Sequence, residues 1–533
     1  MLNISNVSKI LGGETLYQGA SFQINPGEKV GLVGPNGSGK TSLFRMIIGE
    51  ESPDTGQISL SDGATMAYFS QNVGELKGQS ALSEVISGNA ELKTLQQQLD
   101  HYQTKLSDPE MDPDEMNSIL EQMGEVQTKF EKMGGYDIEV RAEEVLTGLG
   151  ITPELHHQDL ALFSGGWKMR IALAKVLVIN PDIIIMDEPT NYLDMETILW
   201  LENWLINYKG AIFMTTHDRD FMNNVCKKIV EINFKKVTVY SGNFDFYEKE
   251  REVRRSQIIA EHSRQQDMLA KEEEFIARFK ARASHAAQVQ SRIKKIEKIE
   301  RIEIPPEEDK ISFEFPVPPR GSDDVISLTN VAKSWGDHLV FENLDALVKR
   351  SEKIAVVGVN GAGKSTLLKV IGGDTEATQG EVKIGPSIKI GYFSQYSLEV
   401  LNPENTVYDQ IRSELPEVSD GYIRNLLAAF LFRGDDVLKK IKYLSGGEKS
   451  RLVLSKILNQ KNNLLILDEP TNHLDMASRE LLLEALKTYQ GTILFVSHDR
   501  HFLHELGEKV FEVSKGSIQI YPGNYRYYLE KTA

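Results

Sequence analysis

An internal duplication restricts this chain more than any other feature, and a repeat that goes unnoticed miscalls the whole architecture. The string GPNGSGKT at 34–41 returns as GVNGAGKS at 358–365, and FSGGWKMR at 163–170 returns as LSGGEKSR at 444–451. MDEPTNYLD at 186–194 matches LDEPTNHLD at 467–475, TTHDRDF from Thr215 matches VSHDRHF from Val496, and YSGNFDFY from Tyr240 matches YPGNYRYY from Tyr521. Two copies of one domain of more than 200 residues follow, expected to be α/β throughout.

The spacing between copies locates an insertion. Lys40 and Lys364 are 324 residues apart, as are Gln71 and Gln395, whereas Ser164 and Ser445 are 281 apart, like Glu188 and Glu469 or His217 and His498. The first copy therefore holds 43 additional residues before its SGG string. They fall among ELKTLQQQLDHYQTKL and EMNSILEQMGEVQTKFEKM, both rich in helix formers and separated by the breaker SDPEMDPD. This predicts a helical hairpin over about 85–137. Between the copies, residues 250–303 are dominated by Glu, Lys, Arg, Gln and Ala without Pro or Gly, which predicts long helix ended by Pro305 and Pro306. Val289, Ile293, Ile296 and Ile299 recur at three-to-four spacing, so the helix should pack on a partner. A break near 281–287 would give two antiparallel helices with a basic tip, and PVPPRGS reads as an extended tether. The expected organisation is a first domain at 2–250, a linker and tether at 251–323 and a second domain at 324–533.

Composition excludes several classes. The longest apolar run, LLAAFLF at 426–432, is far shorter than the roughly 18 residues of a membrane span. The opening MLNISNVSKI lacks the charged and apolar regions of a secretory leader. The one cysteine, Cys226, cannot form an internal disulfide, which fits a reducing compartment; it is expected on the helix after His217 as a small core residue. The net charge of −17 argues against indiscriminate nucleic-acid binding, yet residues 276–301 carry eight Lys/Arg against two acids. A stretch of +6 on a remainder of −23 points to one local polyanion contact. Its candidate residues are Arg278, Lys280, Arg282, His285, Arg292, Lys294 and Lys295, and read alone such a run is more often a solvated charged face.

The repeated strings carry a definite chemistry. A Gly-x4-Gly-Lys-Ser/Thr loop between strand and helix turns its backbone N–H groups onto phosphate oxygens. KVGLVG and KIAVVG supply the strands, and SLFRMIIG and TLLKVIGG the helices. The loop residues are Gly34, Pro35, Asn36, Gly37, Ser38 and Gly39 in one copy, and Gly358, Val359, Asn360, Gly361, Ala362 and Gly363 in the other. Lys40 and Lys364 would reach the β/γ-phosphates, while Thr41 and Ser365 would hold Mg²⁺. The apolar runs PDIIIMDEP and NLLILDEP end in acidic pairs: Asp187 and Asp468 would hold the metal, and Glu188 and Glu469 would polarise the attacking water. His217 and His498, each closing a further apolar strand, would contact the γ-phosphate.

In this order, phosphate loop, glutamine, SGG, DEPTN-x-LD and histidine, the chain resembles the ATP-binding cassette superfamily. The resemblance implies that Ser164 with Gly165 and Gly166, and Ser445 with Gly446 and Gly447, contact the γ-phosphate held by the opposite cassette. One ATP would lie between Lys40, Glu188 and Ser445, the other between Lys364, Glu469 and Ser164. Gln71 and Gln395 take the family's position for sensing Mg²⁺ and water, and Asp194 and Asp475 its position for contacts across the interface. Two cassettes in one chain, an inserted hairpin and a charged helical linker resemble the ABC-F subfamily. That implies a cytoplasmic, monomeric ATPase that binds the ribosome near the E site when ATP closes the cassettes. Its linker would reach P-site tRNA or rRNA, its arm would face the ribosomal stalk or E-site proteins, hydrolysis would release it, and no membrane is expected.

The chain departs from the family pattern at the aromatic that stacks on adenine, which is Trp335 in the second copy but Leu11 at the same offset in the first. No guanine-reading NKxD string occurs, and no basic C-terminal coiled coil is expected after YPGNYRYY. Competing readings are the energising ATPase of a transport system with separate membrane subunits, a DNA-maintenance ATPase, and antibiotic protection within ABC-F.

Overall fold

The computed structural model describes residues 1–532 apart from 71–79, 89, 108–112, 133, 192, 280–285, 298, 300–315, 395–396, 398–399, 473 and 515. Both copies build the same pair of sheets. In the first, a six-stranded sheet runs Met66–Phe69, Ile183–Asp187, Ala211–Thr215, Lys29–Val33, Lys228–Asn233 and Lys236–Tyr240, parallel except for the last strand. In the second, the order is Ile390–Phe393, Leu464–Asp468, Thr492–Val496, Lys353–Val357, Lys509–Ser514 and Ser517–Tyr521. A three-stranded antiparallel sheet accompanies each, with Leu2–Leu11 or Asp324–Trp335 in its middle.

The continuous apolar runs are what strands covered on both faces require. Alternation along a strand divides them between two cores. Ile183, Ile185 and Phe213 face the small antiparallel sheet, where they join Ile4, Phe22 and Phe44. Ile184, Met186, Ile212 and Met214 face the helices that carry the SGG string. This strand order matters for function: Ile183–Asp187, Ala211–Thr215 and Lys29–Val33 are neighbours and parallel, so the acidic pair, the histidine and the phosphate loop emerge together at one end of the sheet.

The additional residues of the first copy form the expected hairpin, Ala90–Leu106 and Pro113–Lys132, with Leu92, Leu95, Leu99, Ile119 and Phe130 buried. The linker helix starts earlier than its charge composition indicates: Phe244–Phe279 is continuous, and Phe244 and Tyr247 of its first turn are packed into the first core. Ala286–Glu297 then folds back along it. Glu272 pairs with Arg292 and, at 3.2 Å, with Lys295, and the Arg292 guanidinium covers the Phe275 ring at 3.9 Å. Among the described residues no helix is long and apolar enough to cross a membrane.

The copies face each other head to tail. Met195 of the first packs on the core of the second, and its counterpart Met476 packs on the core of the first. Arg500 Nη2 lies 3.1 Å from Glu202 Oε2 across the interface, both side chains about nine-tenths buried. Removing one partner of a buried pair leaves a charge without compensation, which costs about 3–5 kcal/mol when no solvent can reach it. Separation of the cassettes would rehydrate Arg500. Glu202→Ala is therefore expected to favour the open arrangement, raising the radius of gyration in small-angle scattering; an unchanged radius would show that the pair does not hold the interface.

Candidate active site

Each phosphate loop opens on a glycine that has neither the backbone angle nor the space for a side chain. Gly34 and Gly358 have φ of +154° and +141°, and a Cβ there would lie 2.4 Å from Ile232 O and 2.3 Å from Val513 O. Gly39 and Gly363, both left-handed, start the helices Lys40–Ile47 and Lys364–Gly372, so each loop leads directly into a helix N-terminus suited to phosphate. Lys40 Nζ donates to Gly34 O at 2.8 Å and Pro35 O at 3.0 Å; Lys364 Nζ donates to Gly358 O at 2.7 Å and Val359 O at 3.1 Å. Burial lowers the pKa of both lysines. Each ammonium lies curled over its own loop, where an anion would draw it away.

Asp187 and Asp468 end their strands beside the loop hydroxyls. Thr41 Oγ1 donates to Asp187 Oδ2 at 2.9 Å, and Ser365 Oγ to Asp468 Oδ1 at 3.1 Å. Paired hydroxyl and carboxylate oxygens beside a phosphate loop fit a Mg²⁺ ion, a hard cation that takes oxygen ligands and substrate phosphates. The copies differ behind this pair. Thr215 Oγ1 donates to Asp187 Oδ1 at 2.7 Å, whereas Val496 stands at the equivalent place, and burial with Glu469 alongside pushes Asp468 up to about 6.

Glu188 and Glu469 adopt left-handed backbone, φ +55° and +52°, which is strained for a residue with a side chain. Main-chain bonds fix the turn: Glu188 N–H donates to Thr215 O at 3.2 Å, and Glu469 N–H to Val496 O at 3.0 Å. The turn presents each carboxylate to its histidine. His217 N–H donates to Glu188 Oε2 at 3.2 Å, with the ring Nε2 3.4 Å from Oε1; the second copy repeats this with His498 and Glu469 at 3.3 and 3.2 Å. Burial pushes both glutamates up to about 7, against the Arg479 and Lys40 cations near Glu188 and Lys364 near Glu469. Burial and the same cations hold both imidazoles well below their usual range. The resulting unit is a shielded carboxylate beside a neutral imidazole, which suits proton acceptance from water.

The site is completed across the interface. A cavity of about 300 Å³ is lined by Ser164 and Gly166 of the first copy and by Asn360, Gly361, Glu469 and His498 of the second. Asn360 N–H donates to Asp194 Oδ2 at 3.3 Å, and Arg170 Nη2 holds the same oxygen at 3.1 Å. Against the effect of burial, hydrogen bonds from Thr197 and the Arg170 guanidinium keep Asp194 down to about 2. Asp475 N-caps Met476–Thr488, and its charge acts on Lys40 and His217 of the other copy. Ser164 and Ser445 are the N-caps of Gly165–Ile179 and Gly446–Asn459. Ser445 shares a capping box with Glu448, whereas Trp167 occupies that position in the first copy and Ser164 makes no cap bond.

Trp335 and Leu11 stand at equivalent hairpin turns of the two copies, paired with His338 and Glu14 respectively, and both are half exposed. Lys333 Nζ lies 4.3 Å from the Trp335 ring centroid. Gln71, Gln395, Lys280, Arg282 and His285 lie outside the described residues. Of the other RNA candidates, Arg278, Lys294 and Lys295 are exposed and Arg292 is half-buried, and Glu272 pairs with both Arg292 and Lys295. Cys226 caps the helix Arg219–Val225, fully buried, with its thiol pushed up by burial. Sequence reading missed Thr215 as the support of Asp187, and missed Arg479 altogether. The repeat did hold a signal for the second, because the 281-residue offset sets Arg479 against Ile198.

A family model described as ABC transporter matches residues 17–191 and 341–472, and a second one of the same description matches 230–315. The ATP-binding protein YdiF of Bacillus subtilis is 36% identical over 100% of this chain and 83% of its own length. The ABC transporter F family member 5 of Arabidopsis thaliana is 34% identical over 99% of this chain and 77% of its own. Among solved structures, an archaeal ribosome recycling factor, aABCE1, in complex with a ribosomal stalk protein aligns with a TM-score of 0.61 at 16% identity, covering 99% of this chain and 92% of that one. The likeness is one of fold.

Proposed function

Because this chain belongs to the ABC-F branch of the ATP-binding cassette family and is an ATPase, we propose that it is a cytoplasmic, ribosome-associated switch worked by ATP. The observation that carries this reading is the reach of the first half into the second: Asp194 on the phosphate loop of the second cassette, and Ser164 in one cavity with Glu469 and His498. An ATP bound there touches both cassettes, so its γ-phosphate adds contacts only when they are together, and its loss removes them. Ser164 would meet the ATP of Lys364, and Ser445 that of Lys40. Mg²⁺ held by Thr41 with Asp187, or Ser365 with Asp468, and by Gln71 or Gln395, would neutralise phosphate charge. Glu188 and Glu469 take the proton of the attacking water, and His217 and His498 hold those carboxylates and face the γ-phosphate. Trp335 gives the second site a surface for the adenine ring.

The ribosomal part of the proposal draws on the relatives and on the linker. The family is shared, the recycling factor of the same fold is solved with a ribosomal stalk protein, and Arg278 and Lys294 are exposed on the helical hairpin between the cassettes. Cations on that hairpin suit phosphate contacts with tRNA or rRNA, which dominate such affinity and weaken with salt. The test is sedimentation of the Glu188→Gln/Glu469→Gln variant with 70S-type ribosomes, with and without ATP, over a salt series. Pelleting that needs ATP, and weakens with salt and on neutralising Arg278, Lys280 and Arg282, is the expected result. Absence of ATP-dependent pelleting would sink the ribosomal reading and leave the ATPase standing.

A further inference from the structure

The cassettes are copies, yet the contact between them is not symmetric, and one side chain marks the break. Asp194 and Asp475 cap the equivalent helices Met195–Asn207 and Met476–Thr488. Four residues beyond each cap stand Ile198 in one and Arg479 in the other. Ile198 is buried and lines the interface cavity. Arg479, in the same cavity, spreads its guanidinium between three acceptors: Nε donates to Leu474 O at 3.0 Å, and Nη1 donates to Asp499 Oδ2 at 3.0 Å and to the main-chain carbonyl of His217, in the other cassette, at 3.3 Å.

Both ends of this bridge lie one step from a hydrolytic carboxylate. On the first cassette, the residue whose carbonyl Arg479 grips is the residue whose N–H donates to Glu188 Oε2. On the second, Asp499 directly follows His498, whose N–H donates to Glu469 Oε2. Asp499 is itself fixed, since its Oδ1 caps the helix Arg500–Leu506. A single charge-assisted group therefore joins the two backbone segments that hold the two glutamates. Isoleucine has no donor, so Ile198 cannot make the mirror-image bond to the carbonyl of His498.

We propose that Arg479 is a positioning residue that couples hydrolysis at the two ATP sites, by tying the His217 segment of the first to the His498–Asp499 segment of the second. A planar guanidinium with its Nε anchored on Leu474 has little freedom to follow one acceptor without pulling on the other. A shift of the His498 segment when the second site changes state is then passed to the carbonyl of His217 and to the bond on Glu188. The charge of Arg479 also acts on both glutamates. The inference rests on the proposed assignment of Glu188 and Glu469 as the hydrolytic carboxylates.

The measurement is a coupling ratio: turnover of the parent chain divided by the summed turnovers of Glu188→Gln and Glu469→Gln, each a full-length protein. Independent sites give a ratio of about one. With Arg479 present a ratio of about five or above is expected, the lower end of ordinary coupling between sites. In Arg479→Ile, which installs the residue of the first copy, it should fall to about one, through kcat rather than KM. Asp499→Asn keeps a helix-capping oxygen but loses the charge, so it carries the test should Arg479→Ile fail to fold, with thermal midpoints checking both. A ratio of about one in the parent, or one unchanged in both variants, would overturn the role of Arg479. If either single glutamine variant turns over at the parental rate, the assignment of the glutamates falls, and the coupling built on it falls too.

Discussion

Replacing Glu188 and Glu469 together by glutamine is expected to lower steady-state ATP turnover by at least about a hundredfold, with ATP binding changed no more than about threefold. A positioned general base contributes roughly 10²–10⁴ to such a step. The argument for these two groups is local. Each sits where a strand ends in left-handed backbone, is held by the N–H and flanked by the ring of a histidine, and is pushed up to about 7; Glu188 is buried and Glu469 keeps 15% of its side chain exposed. Glutamine keeps the shape and accepts the same N–H bonds but cannot take a proton. Binding should survive because the phosphates are met by the loop amides and by Lys40 or Lys364, which the substitution does not touch. Single-turnover hydrolysis and equilibrium dialysis separate the two effects. Turnover within tenfold of the parent chain would remove the glutamates from the chemical step, whereas lost ATP binding would mean that they shape the phosphate site instead.

Much of this site is legible in the sequence, because its parts are local. A phosphate loop needs a strand, glycines and a helix in direct succession, and KVGLVGPNGSGKTSLFRMIIG contains all of them. The runs ending at Asp187 and Asp468 announce buried parallel strands, and the 43-residue excess announces the hairpin. What stays hidden comes from contacts between distant segments. Nothing about Thr215 and Val496 shows that one supports an aspartate and the other does not; that needs the pairing of Ile183–Asp187 with Ala211–Thr215. Arg500 and Glu202 look like ordinary surface charges until the cassettes meet and bury them together. The basic linker misleads in the other direction: as a sequence it is a row of free cations, but folding back places Arg292 and Lys295 on Glu272. Charge counts give the sign of a surface, while folding decides which charges remain available.

Gly358→Ala should abolish ATP binding at the second site, lowering the stoichiometry of the Glu188→Gln/Glu469→Gln chain from two ATP to one. Alanine at this position meets two separate penalties. The backbone is left-handed at φ +141°, and the new Cβ would stand 2.3 Å from Val513 O, a backbone atom. Val513 cannot retreat, because its strand Lys509–Ser514 is held between Lys353–Val357 and Ser517–Tyr521. The loop must move instead, and its amides then no longer converge on the phosphates. Strained backbone alone costs roughly 1–3 kcal/mol, and relieving the overlap adds to it, so a loss of affinity beyond about a hundredfold is expected. Gly361→Ala isolates the first penalty: its φ is +85°, but nothing lies within 4 Å of the added methyl. That variant should keep two sites, with the second weakened by only about tenfold, the equivalent of 1–2 kcal/mol of left-handed strain. Equal losses in both variants would show that backbone strain, rather than the closeness of Val513, sets the shape of the loop. No loss in Gly358→Ala would mean that the phosphates are not held by the amides following this glycine.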